Sequence, residues 1–435
     1  MAVVFMLAMV IGVTGTTATD VAAQDTLQCR WKSLGQSTLA RYYEASAFDT
    51  VENQFFYYGG LDAAQQTQDD LGMLDLSDPN LDAARHRTIP VSAARRYGAA
   101  AAHRVSGMAS SIYFFGGADD ASDGKGTSDV QKLRLSDLSW SKPGVTGTLE
   151  ARFFAAAAYD PAHDMIVITG GLEKCDTSDL PCNAGTFRTQ FATFDSSGNV
   201  TIQDGPEGGP VKLFGHTMVY DSAAKRMIVY GGAASSDSPQ GKVYVLDLSD
   251  PDPAKAAWSE LTAQGGPAGL ALHGAAYDAK RNWLVVYGGA TRNVFAPGEE
   301  VANSKTYALD LGSGAPTWTD LGATFGERVG GVMAYDPKHE VPVYHAGRRR
   351  AKSGDTSDAF RDSHALVCEG EPGPTQTPGG PTNTTVPPTA TWTSSPVPPT
   401  VTPTTVPPTE TPTTPPPATT VAPTETTPPP ATTVV

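Results

Sequence analysis

The chain has 435 residues, a formal net charge of −15 and a pI near 4.9. That balance lacks the basic footprint of a nucleic-acid binder and disfavours docking on an anionic membrane surface. The length would accommodate two or three ordinary domains, but the pattern described below leaves one folded domain and a tail.

Residues 1–23 read as an export signal. An apolar run at 3–13 (VVFMLAMVIGV) is followed by Val21-Ala22-Ala23, a small-residue cleavage site before Gln24. No Lys or Arg precedes the run, and the alternative is a buried N-terminal strand or helix. No other stretch reaches the roughly 18 apolar residues that a membrane span needs. The expectation is an extracellular or cell-surface monomer with no transmembrane segment.

Residues 28–34 (QCRWKSL) form the first predicted strand. After it, one pattern occurs six times: an aromatic at a turn, usually followed by Asp, then an apolar run closed by Gly-Gly. The copies are Phe48-Asp49 to Gly59-Gly60, His103 to Gly116-Gly117, Tyr159-Asp160 to Gly170-Gly171 and Tyr220-Asp221 to Gly231-Gly232. Tyr277-Asp278 to Gly288-Gly289 and Tyr335-Asp336 to Ala346-Gly347 complete the set. The period is 54 to 61 residues, the mark of a repeat architecture.

Each copy reads as four strands. In the fourth they are 216–220 (HTMVY), 226–230 (RMIVY), 242–248 (KVYVLDL) and 257–262 (AWSELT), bounded by Gly, Asp and Pro clusters. Leu-Asp-Leu recurs in third strands at 74–76, 246–248 and 309–311, and a Trp recurs in fourth strands at 140, 258 and 318. The first and third copies lack that Trp, which predicts looser blades there. Glycine permits positive φ and close backbone approach, so the Gly pairs let blade edges crowd their neighbours. No helix follows them to make a phosphate cradle.

The sixth copy has a third strand at 364–368 (HALVC) but no fourth. The Trp-bearing strand at 28–34 supplies it, so the N-terminal strand closes a ring, which protects all but short sheet edges. Cys29 and Cys368 then lie on neighbouring strands about 4.8 Å apart, a separation that suits a disulfide. Cys175 and Cys182 share one loop and are expected to pair locally, the rival being a zinc site.

From about 371 the chain turns Pro/Thr-rich: 20 of its 35 prolines lie in the last 65 residues, without one Lys or Arg. Such a segment cannot build a core, and the expectation for 371–435 is a disordered, extended stalk or linker, open to O-glycosylation. The folded domain is 24–370.

The Gly-Gly strand ends, Leu-Asp-Leu third strands and Trp fourth strands resemble kelch repeats, which also form the central propeller of the galactose oxidase-like superfamily. The resemblance covers roughly residues 28–369 and implies an all-β, six-bladed kelch-type β-propeller. Kelch propellers serve as binding platforms, scaffolds and occasional enzymes, so the resemblance speaks to fold more than to function.

Seven residues before each turn aromatic stand Arg41, Arg96, Arg152, Leu213, Leu270 and Arg328. In kelch propellers this position lies near the mouth of the central channel. Four guanidiniums there form either a cationic ring for an anionic peptide or glycan, or clamps to acidic or carbonyl groups of their own blades. Arg348, Arg349 and Arg350 would extend a basic patch on the same face. His216 and His273, four residues before their turn aromatics, are expected to be packing residues rather than metal ligands. The loops after Gly-Gly are long and polar, as recognition loops are. One carries Asp119, Asp120 and Asp123 without a complete calcium-loop spacing.

The expected function is non-catalytic binding of a protein or an anionic glycan or peptide, with no cofactor and no metal. The alternatives are a galactose oxidase-like or carbohydrate-active enzyme and a purely structural surface protein. The oxidase would need a cysteine crosslinked to a ligand tyrosine, whereas all four cysteines here are assigned to disulfides.

Overall fold

A computed structural model describes residues 27–370 apart from 92, 108, 120–123, 176–181, 186, 211, 296–298 and 350–357. The N-terminal segment read above as an export signal and the Pro/Thr-rich tail lie outside the described residues. The described chain forms six blade sheets arranged as a ring, each running from an inner to an outer strand through antiparallel pairs, with two short two-stranded ribbons in the connecting loops. Blade 4 shows the plan: Phe214–Asp221, Arg226–Ala233, Val243–Asp247 and Ala257–Leu261 pair in sequence order. Blade 3 gains a fifth strand, Val145–Thr146, parallel to Val200–Asp204.

Blade 6 is built from both ends of the domain. Gln28–Gln36 pairs antiparallel with Asp362–Glu369, and the register sets Cys29 opposite Cys368. The two cysteines are bonded, and so are Cys175 and Cys182. Both pairings, and closure by the N-terminal strand, match the sequence reading.

The repeated aromatic–Asp turn has two physical jobs. The Asp carboxylate accepts the amide two residues on, as Asp221 does from Ala223 at 3.0 Å, which stabilises the hairpin turn. The same carboxylate is buried against the next blade's turn aromatic: Asp160 with Tyr220, Asp221 with Tyr277, Asp278 with Tyr335. Where copy 2 has Arg104 in place of Asp, its guanidinium bonds Asp164 of blade 3 at 2.6 and 2.7 Å.

The Gly pairs join the blades. At Gly59, with φ +70°, an added Cβ would lie 2.2 Å from the Arg96 carbonyl oxygen. The amide of the second Gly bonds the same carbonyl, Gly60 to Arg96 at 2.7 Å. The bond recurs at every seam, through Gly117 to Arg152, Gly171 to Leu213, Gly232 to Leu270, Gly289 to Arg328 and Gly347 to Arg41.

The outer-strand tryptophans close the same seams from outside. Trp140 packs on Tyr58 of the preceding blade at 4.7 Å, Trp318 on Tyr230 at 4.7 Å and Trp31 on Tyr287 at 5.1 Å. In the two blades without Trp, its place opposite the third-strand apolar residue is taken by His86 and Ile202. Ile202 is buried in one cluster with Phe115, so blade 3 packs there without the looseness expected of it.

Candidate binding face and central channel

Arg41, Arg96 and Arg328 share one geometry. Nη1 donates to the preceding residue's carbonyl at 2.9, 2.9 and 3.0 Å, and Nη2 to Asp70, Asp129 and Asp362 at 2.6, 2.5 and 2.8 Å. Each Asp sits at or just before the third strand of the same blade. Arg152 is wholly buried, held by Glu150 at 2.5 Å and Gln190 at 2.7 Å, with Phe187 4.5 Å from its guanidinium. Burial pulls its pKa down to about 10, against the opposing pull of Glu150. All four side chains are thus paired with acidic, amide or carbonyl groups of their own blades, and none is among the residues lining the two channel cavities.

Arg348 does not extend a basic patch. It is buried, paired with Glu300 at 2.7 Å and bonded to the Tyr43 hydroxyl at 2.8 Å. Burial opposes its charge, but Glu300 and Tyr43 outweigh that and raise its pKa. Arg349 is exposed and paired with Asp358 at 2.6 Å, and Arg350 lies outside the described residues.

The residue two after each Arg or Leu position has positive φ: Tyr43, Gly98, Phe154, Gly215, Leu272 and Gly330. Large residues alternate with glycines, and each glycine receives its neighbour's side chain; a Cβ on Gly330 would lie 2.3 Å from the Tyr43 ring. Their backbones form a closed ring of six hydrogen bonds. Tyr43 donates to Gly330, Gly330 to Leu272, Leu272 to Gly215, Gly215 to Phe154, Phe154 to Gly98 and Gly98 to Tyr43, at 2.7 to 2.9 Å.

The loops between second and third strands meet above this ring. Cys175 donates to Gly124, Ser236 to Cys182 and Val294 to Ser236, at 2.8, 2.9 and 2.7 Å. The Glu300–Arg348 pair continues the chain into blade 6. Phe295 sits over the ring, with its centroid 5.5 Å from Phe154 and 5.6 Å from Phe214. An apolar cluster including Tyr43, Phe154, Phe214, Leu272 and Phe295 thus caps this end of the channel.

Two cavities adjoin the ring: one of about 130 Å³ is lined by the six ring residues with Glu44, His216 and His273, and one of about 190 Å³ by Glu44, His216, His273 and inner-strand residues including Ala100 and Met333. Glu44 occupies the same repeat position as the two histidines. These side chains turn into the seams: His216 abuts Gly170, His273 abuts Gly231, and Glu44 reaches His345 of blade 6 at 3.8 Å. The packing role expected of His216 and His273 is what their positions show. Burial lowers the pKa of His216 to about 4 and of His273 to about 3, and raises that of Glu44 to about 8. His273 Nε2 bonds Thr217 Oγ1 at 2.8 Å.

Among the described residues no group of three or more His, Cys, Asp or Glu is placed to hold a metal ion. Asp119 lies 3.8 Å from Arg96, while Asp120 and Asp123 are outside the described residues. Sequence reasoning missed Glu44, Phe295 and the Glu300–Arg348 pair. Aligning all six copies at the His216 position would have exposed Glu44; Phe295 and Glu300 sit in a loop with no repeated pattern.

No family model matches the chain. The solved structure of YjhT is similar at 16% identity, covering 77% of this chain and 99% of that one, with a TM-score of 0.55. A fungal alcohol oxidase of the AA5 family, solved in complex with copper, is similar at 13% identity over 78% of this chain and 76% of that one, with a TM-score of 0.48. The likeness to the first is one of fold alone: the chain is a six-bladed β-propeller.

Proposed function

We propose that the chain is an exported, non-catalytic binding protein that recognises a protein or glycan with the face formed by the loops between second and third strands. The observation that carries this reading is the chain of contacts joining those loops, from Gly124 through Cys175–Cys182, Ser236 and Val294 to Glu300 and Arg348. A surface held rigid before binding loses less entropy on association than a mobile one. Two disulfides and an N-terminal apolar run support export to an oxidising compartment.

An anionic ligand group would engage the arginines by exchange. Asp70 and Asp129 are 35% and 38% exposed at the side chain, and a ligand carboxylate or sulfate displacing either would inherit a guanidinium already oriented by a carbonyl. A copper-radical oxidase finds no free cysteine here to crosslink to a tyrosine. The test is calorimetric titration of the full chain with neutral, carboxylated and sulfated oligosaccharides and acidic peptides. Saturable binding without turnover supports the reading. Release of hydrogen peroxide from an alcohol or sugar would replace it with the oxidase.

A further inference from the structure

The seam between blades 6 and 1 differs from the others. Three seams hold a tyrosine from one blade's second strand against a tryptophan from the next blade's fourth strand. At the corresponding place here, His345 of Val341–His345 faces His86 of Arg85–Ile89, ring centres 5.7 Å apart. Tyr57 lies beside both, stacked on His345 at 3.9 Å and bonded through its hydroxyl to His86 Nδ1 at 3.0 Å.

The cluster is buried and incompletely bonded. His345 Nδ1 bonds Ser363 Oγ at 2.8 Å, and its Nε2 stands 3.8 Å from Glu44 Oε2. Nε2 of both histidines and Oε2 of Glu44 have no hydrogen-bond partner. The other charged or titratable groups around them are Asp362 and His364 from the blade 6 third strand and Arg41 from the segment leading into blade 1. Asp362 is already paired with Arg328 at 2.8 Å and with His364 at 2.9 Å.

We propose that this seam is an acid-sensitive latch, in which protonation of His345 and His86 loosens blade 6 from blade 1. Burial holds Glu44 protonated in the closed seam, and Asp362 already serves Arg328 and His364, so among the described residues neither carboxylate is available to balance two imidazolium charges. Two like charges at this separation in a buried site repel and must be hydrated. The Cys29–Cys368 bond keeps the closing strand on blade 6, so opening falls on the seam with blade 1 rather than on release of that strand.

The sign follows from proton counts. Burial, then His86, lowers His345 to about 3, and burial lowers His86 to about 4, whereas an opened seam would give each its ordinary 6.5. Opening therefore takes up nearly two protons between pH 4.5 and 6. Glu44, raised to about 8 by burial, releases one on opening in the same range. The net uptake is about one proton, so opening becomes about tenfold easier per pH unit lost.

The experiment is hydrogen exchange on the full chain from pH 6.5 to 4.5, read as protection factors at amides of Gln54–Tyr58 and Val341–His345. The seam between blades 2 and 3, where Phe115 and Ile202 share one apolar cluster, is the internal reference. Protection at the blade 6–blade 1 seam should fall about tenfold per pH unit relative to the reference, and Glu44→Gln should steepen this toward a hundredfold. His86→Trp with His345→Tyr, which installs the pair used at other seams, should abolish the fall. Equal pH dependence at the two seams of the unmodified protein overturns the proposal whether or not the double variant folds, as does an acid response that survives in it.

Discussion

The amide of Gly60 donates to the carbonyl of Arg96 across a blade boundary, 2.7 Å apart, while the Arg96 side chain turns back to Asp129 of its own blade. One residue therefore serves two contacts: its backbone ties blade 2 to blade 1, and its guanidinium ties the inner edge of blade 2 to its third strand. The recurrence of arginine at this position follows from the second contact.

Gly59→Ala should lower stability by about 3 kcal/mol, because the positive φ and the carbonyl 2.2 Å from the new Cβ leave no local escape. Gly107→Ala also meets positive φ but nothing within 4 Å, and should cost only about 1 kcal/mol. Urea midpoints at unchanged m-value measure both.

Losing the Cys29–Cys368 bond should cost more than losing Cys175–Cys182. The first closes a sequence separation of 339 and the second one of 7. Loop-closure entropy alone favours the longer bond by roughly 3 kcal/mol. Paired Cys→Ser variants compared by thermal unfolding test the order.

Arg348→Met or Glu300→Gln alone should destabilise by about 3–5 kcal/mol, since each strands a buried charge. Arg348→Met combined with Glu300→Leu should cost clearly less than the sum of its single substitutions. A double-mutant cycle measures the coupling.

The six copies were legible because Gly-Gly, the aromatic–Asp turn and the outer Trp each solve a contact that recurs at blade boundaries. Closure was legible for the same reason: Trp31 marks a fourth strand without a blade, and the sixth copy lacks one. The arginines were visible, but their partners Asp70, Asp129 and Asp362 lie 29 to 34 residues away across loops of irregular length. Phe295 and Glu300 were hidden because a loop that answers to one place in the ring has no second copy to reveal it. Glu44 was missed because blades 1, 4 and 5 put Glu, His and His at one position, and only the histidines share a residue type.

His216 and His273 are held neutral by burial, with pKa values lowered to about 4 and 3. The unfolded chain binds protons on both near the ordinary 6.5. Their stabilising effect is therefore full above that value and lost as pH falls toward 4 and 3. His273→Gln should flatten the acid limb of a stability–pH profile by about one proton while leaving its slope above pH 7 unchanged.

The most direct test of the binding account is a hydrogen-exchange footprint of the full chain with a ligand identified by calorimetry. The account predicts added protection in the loops at 61–70, 172–189, 233–242 and 290–305, with the turns at 50–53, 161–164, 222–225 and 279–282 unchanged. Protection confined to those turns, on the opposite face of the ring, would contradict it.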